Sequence, residues 1–218
     1  MKILYEDDSI IVCYKPAGVA TQTKNIGEQD MVSLLNNHLA EKGEKPSIHV
    51  VHRLDQPVEG VMVFAKSSEA ANKLTKEITD HTFKKNYYAI INREAFPNEG
   101  ELVDYLVKDN RTNLSKVVKE NDPRAKKAVL RYRVVEEWDD RKLLDIDLFT
   151  GRHHQIRIQL ASRTAPIVGD VKYGGVSTGH FLALCSHHIG FIHPTTGEKM
   201  GFDIKPQGED FRDSKVAN

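Results

Sequence analysis

A short run of ionisable side chains, His52-Arg53-Leu54-Asp55, lies between two apolar segments of the chain. The preceding pair, Val50-Val51, and the following run, Val61–Ala65, are typical of buried strands. A loop between buried strands can hold a carboxylate rigidly and still leave it accessible, so catalytic groups are often found there. The motif is therefore compatible with a reactive role for Asp55. The alternative is a strand-end turn with a solvated carboxylate.

A second dense stretch of polar groups covers residues 150–160 and follows another apolar strand. Ile156 and Leu160 are spaced i, i+4, so the pattern predicts a helix that begins around Arg152. His153 and Arg157 would then lie on one face of that helix.

The neighbouring His153 and His154 raise the question of a metal site. Adjacent residues on a helix point about 100° apart, and neither a carboxylate nor a Cys stands at ligand spacing. We therefore expect no metal ion at this position.

The elements that must position these groups are many strands and a few helices. Apolar spacing predicts one helix over residues 31–42, and a second that is capped by Ser67 or Ser68 and runs to about Asp80. Residues 128–138 alternate between apolar and polar side chains, as in a strand with one buried face. We predict an α+β fold, with a mixed, largely antiparallel β-sheet, flanking helices and loops, and a catalytic cleft across the sheet.

The segment 105–127 is polar and irregular, and it is predicted to be an exposed insertion. Between residues 105 and 133 there are nine Lys or Arg against three acidic residues, although the whole chain has a net charge of zero. This local excess indicates either a surface that faces phosphate groups or a merely solvated charged loop.

Composition excludes several classes of protein. The 218 residues fit a single domain, 1–218, and no apolar run approaches the roughly 20 residues that cross a bilayer. The N-terminus becomes acidic after a few residues, so no signal peptide is expected. Cys13 and Cys185 stand in apolar contexts without metal spacing, which favours buried thiols and a cytoplasmic location.

Several blocks of the sequence together resemble one family, the RluA-type pseudouridine synthases. The resemblance extends over nearly the whole chain, in the order and at the approximate spacings of that family. The matching blocks are Asp8–Gly18, His52–Asp55, Lys85 with Tyr87 and Ala89, Lys127-Ala128 with Tyr132 and Val134, Gly151–Arg157, Gly169-Asp170 with Tyr173-Gly174, and His193-Pro194 with Thr196–Glu198.

The resemblance implies isomerisation of uridine to pseudouridine in RNA, without a metal or a nucleotide cofactor. Asp55 matches the essential aspartate of the family, and Arg157 matches the arginine that pairs with it. Tyr87 matches the tyrosine that lies against the target base, whereas Tyr88 is expected to be the tyrosine with its ring in the core. Whether Asp55 attacks C1′ of the sugar, attacks C6 of the base or abstracts a proton stays open.

The partner that the resemblance implies is a stem-loop of ribosomal or transfer RNA. The chain resembles the members of the family that have no S4 domain, and it is expected to be a monomer. Arg53 would reach a phosphate or fill the place of the flipped base, or else form a surface ion pair. His52 is assigned to the RNA-binding set, although packing beneath the loop fits it better. The other predicted RNA contacts are Arg152, His153, Gln155, Lys126 and Lys127.

The chain departs from the family pattern at two places. Gln56-Pro57-Val58-Glu59-Gly60 replaces the usual acidic residue and Thr-Ser-Gly, and Leu184-Cys185-Ser186 stands where a His-Ala pair is common. Two alternatives therefore stay open: an RNA-binding protein that has lost turnover, and a hydrolase that uses Asp55 with His153. A hydrolase would need a second carboxylate or base about 5–10 Å away, which no motif supplies.

Overall fold

The computed structural model describes residues 2–25, 27–92 and 96–217. Their strands are β1 (Lys2–Glu6), β2 (Ile10–Lys15), β3 (His49–Val50), β4 (Glu59–Ala65), β5 (Lys84–Asn92), β6 (Glu99–Asp109), β7 (Leu114–Val118), β8 (Lys126–Trp138), β9 (Arg141–Leu148), β10 (Leu184–Ile192) and β11 (Lys199–Asp203). Their α-helices are α1 (Met31–Glu41), α2 (Ser68–Thr79) and α3 (Gln155–Ala161), and short 3-10 helices cover Val171–Tyr173 and Glu209–Phe211. The strands pair mostly antiparallel, so the predicted α+β class is confirmed.

The chain forms two compact units. The first comprises Met1–Lys84 and Ser186–Ile204, and the second comprises Lys85–Cys185 and Lys205–Asn218. Strands of the first unit follow the order β1-β2-β4-β10, with β3 beside β4 and β11 beside β10. Strands of the second follow the order β5-β9-β8-β6-β7. The expectations of one domain and of a cleft across the sheet stay predictions.

Apolar side chains of β2, β4 and α2 form the core of the first unit. Every residue of β4 is buried, as its nearly continuous apolar sequence predicts. Ala70 and Leu74 of α2 pack against this core, with Ala71 and Ile78 partly buried beside them. Ser67 caps α2 by accepting a hydrogen bond from the backbone N–H of Ala70, so the predicted start of this helix is confirmed.

The alternation of β8 is confirmed in the second unit. Ala128, Leu130 and Tyr132 are buried, whereas Arg131 and Arg133 are exposed on the other face. Helix α3 buries Ile156 and Leu160. Gln159 of α3 is fully buried and donates to the backbone carbonyls of Leu102 and Ala128, which ties the helix to β6 and β8.

The predicted irregular insertion at 105–127 is wrong. Strands β6 and β7 form an antiparallel hairpin through this segment, and β8 begins at Lys126. Leu106 and Ser115 are buried, while most neighbouring positions face solvent. A strand with one solvent-exposed face contains many polar residues, which is why the composition suggested a loop.

The predicted start of α3 around Arg152 is also wrong. The helix begins at Gln155, because His154 before it has a left-handed backbone with φ of 53°. Residue 153 lies in a turn outside the helix, so His153 and Arg157 do not share a helical face.

Candidate active site

The Asp55 loop is fixed from within the first unit. Thr21 accepts a hydrogen bond from the N–H of Leu54 at 3.2 Å and donates to its carbonyl at 2.9 Å. The carbonyl of Asp55 accepts from the N–H of Val58, which closes the turn. The carbonyl of Gln56 accepts from the N–H of Gly18 at 2.8 Å. These bonds hold both neighbours of Asp55 and leave its side chain half-buried.

Lys15 brings a positive charge to this loop. Its fully buried side chain donates through Nζ to the carbonyls of Val19 at 2.6 Å, Pro16 at 3.0 Å and Gln56 at 3.2 Å. Burial lowers the pKa of Lys15 to about 8, and the charges of Asp55 and Glu59 act in the opposite direction. An ammonium group therefore lies within electrostatic range of the candidate reactive carboxylate.

Glu59, one of the departures from the family pattern, is buried at the start of β4. Tyr14 donates a short hydrogen bond to its Oε2 atom. A buried carboxylate needs such donors. The side chain that replaces a family hydroxyl thus has its own partner on β2.

The two residues before Leu54 have different surroundings. His52 accepts a hydrogen bond at Nε2 from the N–H of Val63, and its ring packs against Phe83 with 5.5 Å between centroids. This placement favours the structural role over RNA contact. Arg53 is exposed, as a residue that reaches RNA must be.

In the second unit, Arg157 is almost completely buried and makes a bidentate ion pair. Its Nε donates to Oδ2 of Asp170 and one terminal nitrogen donates to Oδ1, both at 2.7 Å. The guanidinium carbon lies 5.1 Å from the ring centroid of Tyr173. Asp170 is thus a partner of Arg157 that the sequence did not assign, although Gly169-Asp170 belongs to a matching block. Pairing of Arg157 with Asp55 stays a prediction.

Tyr173 joins Arg157 to strand β7. Its hydroxyl accepts from the N–H of Ser115 at 2.7 Å and is hydrogen-bonded to Nδ1 of His154 at 2.8 Å. Burial raises the pKa of this phenol, and the Ser115 N–H partly opposes the shift. Ser115 also contacts His153, donating to its carbonyl at 2.6 Å.

The two tyrosines of β5 differ from expectation. Tyr87 is 6 % exposed and lies opposite Ile146 on the buried face, whereas Tyr88 is half-buried and lies opposite Asp145. The assignment of Tyr88 as the core tyrosine is therefore wrong, because the pleat turns it towards the polar face. Burial of Tyr87 leaves its predicted role against the base untested.

The predicted RNA contacts of the second unit divide by exposure. Lys126, Lys127 and Arg152 are exposed, and Nε of Arg152 donates to the carbonyl of Lys127 at 2.9 Å. His153 is half-buried, with its ring stacked on His154 at 3.8 Å. Gln155 is buried and bonds to Thr150, Val129 and the N–H of Arg152, so its placement favours a structural role.

Lys126, Lys127 and Arg152 form a basic cluster, and the sequence did not predict that Lys85 lies near it. Its Nζ lies 3.3 Å from the position that a Cβ on Gly151 would occupy. Burial lowers the pKa of Lys85, and the charge of Arg152 lowers it further. A Cβ at position 151 would require this amine to shift by a few tenths of an ångström.

The excess of positive charge between residues 105 and 133 is smaller than the count of basic and acidic residues in the sequence suggests. Lys116, Arg124, Arg131 and Arg133 all pair with acidic residues. Lys126 and Lys127 are exposed, and among residues 2–25, 27–92 and 96–217 neither has an acidic partner. They are the stronger candidates for phosphate contact.

No group of three or more His, Cys, Asp or Glu residues in the described part of the chain could hold a metal ion. None of the helices described is long and apolar enough to span a bilayer.

Comparison with known proteins gives one consistent result. Residues 9–162 match the family model described as RNA pseudouridylate synthase. Ribosomal large subunit pseudouridine synthase D of Zymomonas mobilis is 31% identical, over 94% of this chain and 69% of that protein. An uncharacterized RNA pseudouridine synthase of Bacillus subtilis is 32% identical, over 91% of this chain and 66% of that protein. Against the synthase D of Neisseria meningitidis serogroup B the chain spans only 57% of the relative's length, at 30% identity.

A solved structure shares the fold. Human RNA pseudouridylate synthase domain containing 4 superimposes with a TM-score of 0.78 at 23% identity, covering 94% of this chain and 88% of that one. This similarity supports the predicted fold type.

Proposed function

Since the chain belongs to the RNA pseudouridylate synthase family, we propose that it converts a uridine of large-subunit ribosomal RNA to pseudouridine, with Asp55 as the reacting carboxylate. By its family the chain is an RNA pseudouridine synthase, an isomerase that acts on RNA. The observation that carries the proposal is the family match over residues 9–162, which includes both the Asp55 and the Arg157 motifs. The names of several relatives favour ribosomal over transfer RNA.

The reaction fits a site made only of amino-acid side chains. The bond between N1 of uracil and C1′ of ribose breaks, the base turns, and C5 bonds to C1′. C5 loses its proton and N1 gains one. Every heavy atom of the uridine is retained, so the step needs neither an oxidant nor a group donor. An ionised carboxylate can serve as nucleophile or base in such a reaction. Whether Asp55 attacks C1′ of the sugar, attacks C6 of the base or abstracts a proton stays open.

The surroundings of Asp55 support this role. Thr21 and Lys15 fix the backbone on either side of it, and a catalytic group works best when its position is set in advance. The buried ammonium of Lys15 also places a positive charge within electrostatic range of Asp55.

The remaining roles follow the family resemblance and the exposure of each side chain. Arg157 supplies the positive charge that partners the reacting carboxylate, and Tyr87 lies against the flipped base. A ring stacked on a base contributes roughly 1–3 kcal/mol, comparable to the few kcal/mol that base extrusion costs. Arg53, Arg152, Lys126 and Lys127, all exposed, contact phosphate groups.

Release of tritium from RNA labelled at C5 of uridine tests the proposal, because the C5 hydrogen is lost only when the new carbon–carbon bond forms. The RNA comes from cells that lack the protein, and ribosomal and transfer RNA are assayed separately. Wild type should release tritium from ribosomal RNA, whereas Asp55→Asn should release none although it keeps its fold and RNA affinity.

Asp8→Asn is the matched control, because Asp8 is an exposed carboxylate of the same unit. It should behave as wild type. Equal release by Asp55→Asn and wild type would contradict the role of Asp55. Salt-dependent RNA binding with no release by any variant would identify an RNA-binding protein that has lost turnover.

A further inference from the structure

The buried guanidinium of Arg157 is held on two sides by residues to which no role has been assigned. Asp170 occupies its Nε edge with two hydrogen bonds of 2.7 Å, and Tyr173 lies under its plane at 5.1 Å. Both Arg157 and Asp170 are less than 5 % exposed. A bidentate fork fixes direction as well as distance, which a single contact does not.

Tyr173 is itself held in place. The backbone N–H of Ser115, a buried residue of β7, donates to its hydroxyl, and the His154 ring lies edge-on to it at 5.5 Å. The 3-10 helix Val171–Tyr173 follows Asp170 directly, so the carboxylate and the ring come from one turn of chain.

The backbone before α3 is strained where it meets this assembly. His154 has a φ of 53°, a left-handed conformation that a residue with a Cβ adopts at some cost. The ring contact with His153 and the hydrogen bond to Tyr173 keep it there. Strain that surrounding contacts maintain is concentrated at sites where geometry matters for function.

We propose that Asp170 and Tyr173 are positioning residues, which fix the guanidinium of Arg157 in the orientation that the isomerisation requires. The inference rests on the proposed function, in which Arg157 partners the reacting carboxylate. Through Ser115, the β6–β7 hairpin becomes part of the same positioning assembly. An arginine that had to find its orientation in each turnover would lose the advantage of a site arranged in advance.

The test compares two isosteric variants with a matched control. Asp170→Asn keeps the shape but removes the charge and one acceptor. Tyr173→Phe keeps the ring under Arg157 but loses the hydroxyl. Asp104→Asn is the control, because Asp104 makes a similar two-contact pair with Arg163 shortly after α3, at 2.9 and 3.2 Å.

Turnover and orientation are measured separately. We expect kcat on ribosomal RNA to fall about 100-fold in Asp170→Asn, the loss typical of a reacting group displaced by about 1 Å. In Tyr173→Phe we expect a fall of roughly 10-fold, and in both variants KM should stay within about two-fold of wild type. Asp104→Asn should keep the wild-type kcat.

NMR of the arginine Nε–Hε groups reports the orientation without any turnover. The Arg157 signal, assigned by its absence in Arg157→Lys, should exchange slowly with solvent in wild type and in Asp104→Asn. It should exchange rapidly or be lost in Asp170→Asn, and exchange faster in Tyr173→Phe.

The two measurements separate the failure of each proposal. Absence of tritium release by wild type overturns the proposed function, while the Arg157 signal still decides whether Asp170 and Tyr173 fix the guanidinium. An unchanged Arg157 signal in both variants overturns the inference. So does a wild-type kcat in an Asp170→Asn protein that is only less thermostable, because the ion pair would then be purely structural.

Discussion

Lys15 carries an ammonium group into the interior of the first unit, where it joins two turns of the chain. It donates to the carbonyls of Pro16 and Val19 on one turn and to that of Gln56, next to Asp55, on the other. Complete burial of a lysine is rare and requires that its charge be compensated. Here Asp55 and Glu59 supply the opposite charge.

Replacing Lys15 by Met should therefore lower stability. Lys15→Met leaves three carbonyls without their donor and removes a buried positive charge near Asp55 and Glu59, so we expect the free energy of unfolding to fall by roughly 3 kcal/mol. Urea denaturation monitored by circular dichroism measures the change. Lys24→Met, at an exposed lysine of the same unit, is the control and should stay within about 0.5 kcal/mol of wild type. Equal stability of both variants would show that Lys15 does not hold the two turns together.

Among the elements of the first unit, β4 and β10 approach each other unusually closely at Gly60. A Cβ built on Gly60 would lie 2.5 Å from Cβ of Ser186 and 2.7 Å from its backbone N and O atoms. The φ of Gly60 is 149°, which side chains rarely adopt. Gly60, the second residue of β4, is thus required by packing between strands.

We predict that Gly60→Ala costs roughly 4 kcal/mol or more, because neither strand backbone can move away without breaking its ladder. The comparison is Gly43→Ala, which has a φ of 74° but no atom within 4 Å of the added Cβ. It should cost only the backbone term of about 1 kcal/mol. Thermal and urea unfolding of the two variants measure the difference. A similar small loss in both would mean that β4 and β10 can separate at this point.

Local sequence patterns predicted the elements whose causes are local. The cap at Ser67 and the stripe of Ala70 and Leu74 fixed α2, and the alternation around Leu130 fixed β8. The β6–β7 hairpin was missed because Ser115 is buried by a distant partner, Tyr173, rather than by its neighbours in sequence.

The candidate site was predictable to a similar degree. Family motifs named Asp55 and Arg157, but their spacing could not show that Asp170 pairs with Arg157. Asp170 lies beyond the end of α3 in the sequence, and only the tertiary fold brings it into contact with Arg157. The start of α3 was misplaced for the same reason, since contacts with Tyr173 and His153 hold His154 out of the helix.

At the scale of the molecule, the net charge is zero, so the electrostatic contribution to stability comes from particular ion-pair clusters. Glu6 accepts from Lys42 at 2.7 Å, is paired with His38 at 2.8 Å, and has Lys66 at 3.4 Å. Burial raises the pKa of Glu6, but the hydrogen bonds from Lys42 and His38 outweigh it and lower the pKa to about 2. The cluster therefore joins β1, α1 and the residue after β4.

A carboxyl whose pKa is lower in the folded state stabilises the fold above its unfolded pKa, and the contribution is lost as the pH falls through the folded pKa. We expect Glu6→Gln to be less stable than wild type by roughly 1 kcal/mol at pH 7. The difference should shrink between about pH 4.5 and pH 2 and then vanish. Urea titrations across this range measure it, with exposed Glu69→Gln as a control that should show almost no effect. A difference independent of pH would contradict the electrostatic cause.

The same neutral molecule must still bind a polyanion, so its affinity for RNA should depend on a few uncompensated cations. Lys126 and Lys127 are exposed at the start of β8, next to Arg152. If each contacts one phosphate, the double variant Lys126→Ala/Lys127→Ala should weaken RNA binding and reduce the slope of log K against log salt by roughly 1.4–1.8. Filter binding at salt concentrations between roughly 50 and 200 mM measures both the affinity for RNA and its salt dependence. Lys24→Ala/Lys45→Ala removes the same charge from exposed positions of the first unit and should leave the slope unchanged. Equal slopes for the two double variants would mean that net charge, rather than this basic cluster, attracts the RNA.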